Sequence, residues 1–401
     1  MKTESKNQFN KAESDGLEQS RSKLSALDFQ LKIGFDGKRA VNNLTGLGNY
    51  SRFIIESLAK KFPSQQYFIY SPKVAEKLRA LPLLSLSDVR LELPKSSKFL
   101  WRALGIKKQL LADQIDIYHG LSHEIPFGLQ QTNVKSVVTI HDLIFLRKPH
   151  YYKFIDRKIY EWKSRYACRN ADRIIAISEK TKLDIIELYR IAPEKIDVVY
   201  QGCDETFKIK ANSKKLAEVK NRYQLPDTFI LSVGTIEERK NLNLVIEALA
   251  QAQTSVPLVV VGKPTPYLDE VKHTIAKHQL QNRVLFLHNV TFEDLPAVYQ
   301  LANLFVYPSF YEGFGIPIIE AINSNLPVIA ATGSCLEEAG GRDSIYVSPT
   351  QPNELAKAID NVLSDENFRQ MMVSKSLAYV QKFNNDLVAE QVMECYKKAF
   401  S

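Results

Sequence analysis

Two glutamates stand eight residues apart in the run Glu312-Gly313-Phe314-Gly315-Ile316-Pro317-Ile318-Ile319-Glu320, and the residues between them suit binding of a phosphate. Gly313 and Gly315 let the backbone turn sharply and approach a ligand closely. Pro317 fits the first turn of a helix, whose free N–H groups attract an anion. The flanking carboxylates accept hydrogen bonds from pairs of hydroxyls, which suits a sugar on one side and a ribose on the other. A second cluster, Gly234-Thr235-Ile236-Glu237-Glu238-Arg239-Lys240-Asn241, places an Arg and a Lys side by side. The planar fork of Arg239 and the point charge of Lys240 can together hold a diphosphate. Asn241 is expected to cap the helix that follows. Read alone, an exposed Arg-Lys pair is ordinary solvated surface. Both clusters, however, fall at strand-to-helix loops on one expected cleft edge, which points to a site.

Short β-rich runs alternate with longer helical stretches from Leu31 onward, the signature of an α/β fold with mainly parallel sheets. Strands are expected at 31–36, 67–70, 115–118, 136–140, 173–177 and 197–200, and again at 229–233, 257–261, 284–287, 304–307, 327–331 and 345–347. The theme restarts after a polar, basic stretch at 208–227. The sequence therefore divides into a leader at 1–28, read as disordered, a first doubly wound domain at 29–207, a linker at 208–227 and a second such domain at 228–385. A closing helix at 386–401 can cross back to the first domain. Two such domains facing each other leave a cleft at the C-terminal ends of their strands, where ligands bind. In the closing helix Leu387, Val388, Val392, Cys395 and Phe400 form a stripe that reads as buried.

The 401 residues carry 53 Lys and Arg against 45 Asp and Glu, a mild surplus of +8 that suits anionic ligands. No stretch approaches the length of a membrane span. The four cysteines, at positions 168, 203, 335 and 395, lie too far apart for a zinc framework or disulfide scaffold. A reducing, cytoplasmic setting is expected. The Gly46-Leu47-Gly48 loop is not a dinucleotide fingerprint, because it starts well after the strand and has no acidic partner at the end of a second strand.

Three segments of the second half resemble the donor-binding domain of retaining glycosyltransferases of family 4: SVGTIEERKNL at 232–242, LFVYPSFYEGFGIPIIEA at 304–321 and PVIAA at 327–331. The first half joins with TGLGNY at 45–50, TIHDL at 139–143 and NADRIIAIS at 170–178, so the resemblance runs from about Leu31 to Phe400. It implies the GT-B architecture of two Rossmann-like domains. It also implies that Glu312 holds hydroxyls of the transferred sugar, that Glu320 holds the nucleotide ribose, and that Lys240 with Arg239 binds the donor diphosphate. The backbone of Gly313, Phe314, Gly315 and Ile316 would face sugar and phosphate, and His141 would reach the sugar from the other domain. On this reading His141, Lys240 and Glu312 are the catalytic set. Gly46 and Gly48 border the donor phosphate, and Asn49, His119 and His123 are acceptor-side candidates. Two departures stand out. Many relatives have an arginine where this chain has Thr235, so Arg239 takes the second cation's role. The usual proline is also missing before Glu337, in Cys335-Leu336-Glu337-Glu338.

The reaction so implied transfers a hexose, of mannose or glucose type, from a nucleoside diphosphate to a glycan or lipid-linked acceptor of a surface polysaccharide. Cations and helix N–H groups stabilise the departing phosphate. No D-x-D pair occurs, so no metal ion and no further cofactor is expected. A nucleotide-sugar epimerase and a non-catalytic sugar-nucleotide binder are the alternatives. The N-terminal half also carries basic amphipathic segments. One, at 95–108, holds Lys95, Lys98, Arg102, Lys107 and Lys108 around Phe99, Leu100, Trp101 and Leu104. The other, at 151–169, has Ile155, Ile159, Trp162 and Tyr166 on one face, a regular stripe read as core-facing. Such surface suits peripheral contact with the inner face of the cytoplasmic membrane or with a lipid-diphosphate acceptor. No pattern of nucleic-acid recognition is present.

Overall fold

The computed structural model describes residues 30–95 and 101–401. The expected leader at 1–28 and part of the basic segment, Lys98, Phe99 and Leu100, lie outside the described residues. The first half forms a seven-stranded sheet in the order β3-β2-β1-β4-β5-β6-β7. Its strands are β1 (Lys32–Asp36), β2 (Gln66–Tyr70), β3 (Val89–Glu92), β4 (Ile117–Gly120), β5 (Lys135–Ile140), β6 (Arg173–Ala176) and β7 (Ile196–Val198). The second half forms a six-stranded sheet, β10-β9-β8-β11-β12-β13, from β8 (Ile230–Val233), β9 (Leu258–Val261), β10 (Val284–Leu287), β11 (Leu304–Tyr307), β12 (Val328–Ala331) and β13 (Ile345–Val347). All recorded pairings are parallel. Both sheets reverse strand order at their middle, between β1 and β4 and between β8 and β11, which is where an open α/β sheet offers a ligand crevice.

Six helices matter for the site and its support: α1 (Gly46–Lys61), α2 (Phe154–Asn170), α3 (Glu179–Tyr189), α4 (Leu242–Gln251), α5 (Ile316–Asn323) and α6 (Asn385–Phe400). The central strands are near-continuous apolar runs buried on both faces, as in β9 and β11. Helix α6 belongs by sequence to the end of the chain yet packs against α1, β5 and β6 of the first half. Its expected stripe is confirmed at Val388, Val392 and Cys395, which are buried, and corrected at Leu387 and Phe400, which are exposed. Periodicity placed those two near the buried face, but they sit at its margins.

Three further expectations are corrected. Strand β3 did not register in the sequence, because only Val89 and Leu91 are apolar in an edge strand that alternates them with Arg90 and Glu92. The polar stretch 208–227, expected as the linker, contains an unforeseen helix, Ser213–Tyr223, capped by Asn212 and burying only Val219. Its Lys215 and Tyr223 reach the buried Asp294, at 2.5 and 2.8 Å. The face of α2 bearing Ile155, Ile159 and Trp162 is exposed rather than core-facing, and the helix buries Ser164, Ala167 and Cys168 instead.

A polar pin inside the first sheet joins α6 to the rest. His119, on β4, is fully buried and bonds Tyr396 OH of α6 through Nδ1 and Thr139 Oγ1 of β5 through Nε2, both at 2.8 Å. Thr139 Oγ1 also meets Tyr50 OH of α1 at 3.0 Å. Tyr396→Phe leaves one ring nitrogen without a partner in an apolar surround. It should lower unfolding free energy by about 1–2 kcal/mol, read as a shifted urea midpoint with unchanged slope; an unshifted midpoint would show the pin to be idle.

Candidate functional site

Strands β8 and β11 are neighbours at the middle of the second sheet, so the loops that follow them meet. The first loop runs from Gly234 to Asn241 and the second from Pro308 to Gly315, which opens helix α5. Their meeting point is a buried ion cluster. Glu312 Oε1 accepts from Lys240 Nζ at 2.7 Å, and its Oε2 lies 2.7 Å from Arg239 Nη1. Tyr307 OH, at the end of β11, donates to Glu312 Oε1 at 3.2 Å and also contacts Lys240 Nζ. Arg239 donates further to Tyr311 O and Glu237 Oε1. Burial alone would raise the Glu312 carboxyl, but Lys240 and Arg239 hold it down at about 2. Burial pulls Lys240 below its usual value, and Glu312 opposes that. Glu312 thus bridges the two cations, and Glu237 pairs with Arg239 beside it.

Asn241 departs from expectation. It adopts a left-handed conformation and makes no side-chain cap on α4. Its amide instead donates to Pro308 O and Pro349 O, at 3.1 and 2.8 Å, and so ties the cation loop to the carboxylate loop. Gly315 has φ 127°, a conformation that glycine adopts without strain. Gly313 is required for another reason: a Cβ there would stand 2.3 Å from His141 O. That contact brings the carboxylate loop directly onto the first half of the chain.

The first half presents its loops from the opposite side. His141 follows β5 and is buried; Nε2 donates to Leu121 O at 2.9 Å, which leaves Nδ1 as its one free acceptor. Burial, with His123 nearby, pushes His141 down to about 3, so the ring is neutral at physiological pH. His123 has φ 61° and accepts from the His141 N–H at 3.4 Å, while its buried Nδ1 has no partner. His119 was expected on the acceptor side; it lies instead in the core, because its position on β4 points it between the sheet and α6. Gly46 opens α1, with open space where a Cβ would stand, whereas a Cβ at Gly48 would meet Asn43 O at 1.9 Å. Asn49 is exposed on the same first turn and accepts from Arg52. Glu320, inside α5, is set apart from the ion cluster and accepts from Tyr299 OH at 2.9 Å. Burial pushes its carboxyl up to about 7, with a smaller push from Asp204. The two glutamates that spacing links are thus electrostatic opposites, one firmly ionised and one poised near neutrality.

Several supporting residues did not register in the sequence. Asp142 lies within the cleft, its Cβ 3.3 Å from where a Gly313 Cβ would stand. Cys335 Sγ lies 3.1 Å from both Glu312 O and Phe314 O, so the thiol braces the carboxylate loop from below. Glu338 accepts from the Glu179 and Lys180 N–H groups, at 2.7 and 2.9 Å, at the N-terminus of α3. Ser178 Oγ donates to Gly313 O at 2.8 Å, and Tyr311 OH bonds Asp184. Glu338, Ser178 and Tyr311 therefore fasten the two halves together. Phe314, expected to offer its backbone to a ligand, also packs its ring against Tyr200 and Phe383, the three ring centres standing 5.3 Å from one another.

Residues 213–377 match the family described as "Glycosyl transferases group 1", and residues 51–207 match "Glycosyltransferase Family 4". Over 392 residues, 92% of this chain and 100% of the relative, the sequence is 27% identical to O-antigen chain mannosyltransferase B of Escherichia coli. Over 274 residues, 67% of this chain and 70% of the relative, it is 28% identical to O-antigen chain mannosyltransferase RfbU of Salmonella typhimurium. A 29% match to the serotype-specific mannosyltransferase WbdA of Escherichia coli spans 34% of that larger protein. Among solved structures, a glycosyltransferase from Rickettsia africae superposes with TM-score 0.72 at 19% identity, covering 93% of this chain and 99% of the other. Anabaena Alr3699/HepE, in complex with UDP and glucose, gives 0.71 at 20% identity, covering 92% and 99%. At such identities the likeness is one of fold.

The raised Glu320 carboxyl has a consequence for stability. Its proton is held more tightly in the folded chain, so its contribution is fully present below the ordinary carboxylate range near 4.5 and is lost as pH rises through about 7. The melting temperature of wild type relative to Glu320→Gln should fall across that window and level off above it. A difference that stays flat with pH would contradict this placement of the charge.

Proposed function

This chain belongs to the family 4 glycosyltransferases of the GT-B architecture, whose two matches together span most of it, and from that premise we propose that it transfers mannose with retention of configuration. The donor in this reading is GDP-mannose or a related nucleoside-diphosphate hexose. The acceptor is a growing surface polysaccharide or its lipid-linked precursor. The relatives named as O-antigen mannosyltransferases support the choice of sugar and acceptor. The observation that carries the reading is the buried cluster in which Glu312 bridges Lys240 and Arg239 beside the start of α5.

In the free enzyme Glu312 is the counter-ion of both cations. A donor diphosphate supplies a competing negative charge, takes Lys240, Arg239 and the first N–H groups of α5, and releases the carboxylate to accept from hydroxyls of the sugar. As the bond between the anomeric carbon and the phosphate oxygen breaks, charge grows on that oxygen where the cations are already fixed, so no reorganisation is needed. Neutral His141 offers Nδ1 as an acceptor for a sugar hydroxyl from the facing side. No group of three or more metal-ligating side chains stands among the described residues, and these two cations are what the site offers a diphosphate. The acceptor hydroxyl attacks from the face the phosphate leaves, which retains the configuration.

A panel of GDP- and UDP-hexoses with a mannan acceptor tests the reading, with products resolved by mass and anomeric configuration. Turnover of GDP-mannose should be unaffected by EDTA, and Lys240→Ala should lower kcat by about 10²- to 10³-fold. Loss of activity in EDTA, an inverted product, or interconversion of free nucleotide sugars without an acceptor would each defeat it, the last in favour of an epimerase.

A further inference from the structure

The outer face of α2 takes no part in the site and is left largely uncovered by the described residues. Phe154, Ile155, Ile159 and Trp162 expose 66, 72, 45 and 58% of their surface, and the last three share one helical face. Trp162 rests on Phe127, with ring centres 5.1 Å apart, and turns its free edge to solvent. One exposed apolar side chain calls for no explanation, but a contiguous set marks an interaction surface. Charge surrounds it: residues 147–173 contain nine basic and three acidic side chains. Lys158, Lys163 and Arg165 are engaged with Glu161 or Glu124. Lys148, Lys153, Arg157 and Arg169 have no ion pair among the described residues. Arg157 and Lys158 lie over the ring of Phe154, at 5.3 and 6.0 Å.

We infer that this face of α2 seats the enzyme on a bilayer surface rich in anionic lipid. Phe154, Ile155, Ile159 and Trp162 enter the headgroup region, and the unpaired cations beside them meet lipid phosphates. Aliphatic Ile155 and Ile159 gain nothing from a hydrated glycan, whereas each gains from leaving water for acyl chain. No described helix is long and apolar enough to cross a membrane, so the contact is peripheral. The helix also starts in the right place. Tyr151 and Tyr152, just before it, lie close enough to the cation loop for Glu237 and Arg239 to act on their hydroxyls. The docking face therefore begins at the mouth of the cleft, and a lipid-anchored acceptor would arrive on that side. Only this last step rests on the transferase reading.

Co-sedimentation of the full chain with vesicles tests the inference, comparing phosphatidylglycerol mixed with phosphatidylcholine against phosphatidylcholine alone. Wild type should bind the anionic vesicles, less so at high salt. The triple variant I155S/I159S/W162S and the double variant K153E/R157E should each bind about tenfold more weakly or worse. Melting temperature and nucleotide-sugar binding should not change, since these side chains are exposed and make no hydrogen bond or ion pair with the ion cluster, and these readouts separate failed docking from a failed transferase assignment. Absence of vesicle binding by wild type, or equal binding by the variants, overturns the proposal. So does concentration-dependent dimerisation that the triple substitution abolishes while vesicles are ignored, which would give the face to a second copy.

Discussion

Glu312 sits with Lys240 and Arg239 in a space from which water is largely excluded, and removing three charges from water is costly unless each finds its partner in good geometry. Much of the second half is arranged to meet that demand. The adjacency of β8 and β11 delivers the cations and the carboxylate to one point, and Tyr307 fills the remaining hydrogen-bonding capacity. Asn241 spends its amide on backbone carbonyls and so fixes the spacing of the two loops, while Cys335 supports the carboxylate loop from beneath. Glu237 pairs with Arg239 as well, so the two cations meet two carboxylates and the cluster is balanced as it stands.

What could be read in the sequence, and what could not, follows from how local each signal is. The ion cluster was legible because its residue types sit at strand-to-helix loops, which short apolar runs such as LVVV and LFVY reveal. Strand β3 was not, since two apolar residues at a sheet edge carry too little pattern. The helix at Ser213–Tyr223 looked like linker because its polarity serves an acid, Asp294, some seventy residues away. His119 shows a deeper limit. A histidine at the end of a strand reads as functional, and only the arrival of Tyr396 from the far end of the chain makes it structural. The stripe on α2 was found correctly by periodicity, yet periodicity describes a face and says nothing of whether anything covers it.

The two halves are also bound more closely than two domains joined by a linker would be. Helix α6 returns to the first sheet, and a chain of contacts runs from Tyr396 through His119 and Thr139 to Tyr50, whose ring meets the edge of His141 at 4.6 Å. Helix α1, with its glycine-rich start, is thereby referenced to the last residues of the protein. On the other side of the cleft Glu338, Ser178 and Tyr311 join the halves through charge and hydrogen bonds rather than apolar area. Polar fastenings of this kind exchange readily with water, so they suit a junction that separates and re-forms.

Phe314 gives that junction a mechanical meaning. Its backbone belongs to the loop that carries Glu312, while its ring packs in a three-ring cluster with Tyr200 and Phe383, on the two stretches where the chain passes between the halves. Any rotation of one sheet against the other must turn about those stretches and must therefore disturb that cluster. The loop that bears the ion cluster and the waist of the molecule thus share one set of rings, so the halves cannot shift against each other without pulling on that loop.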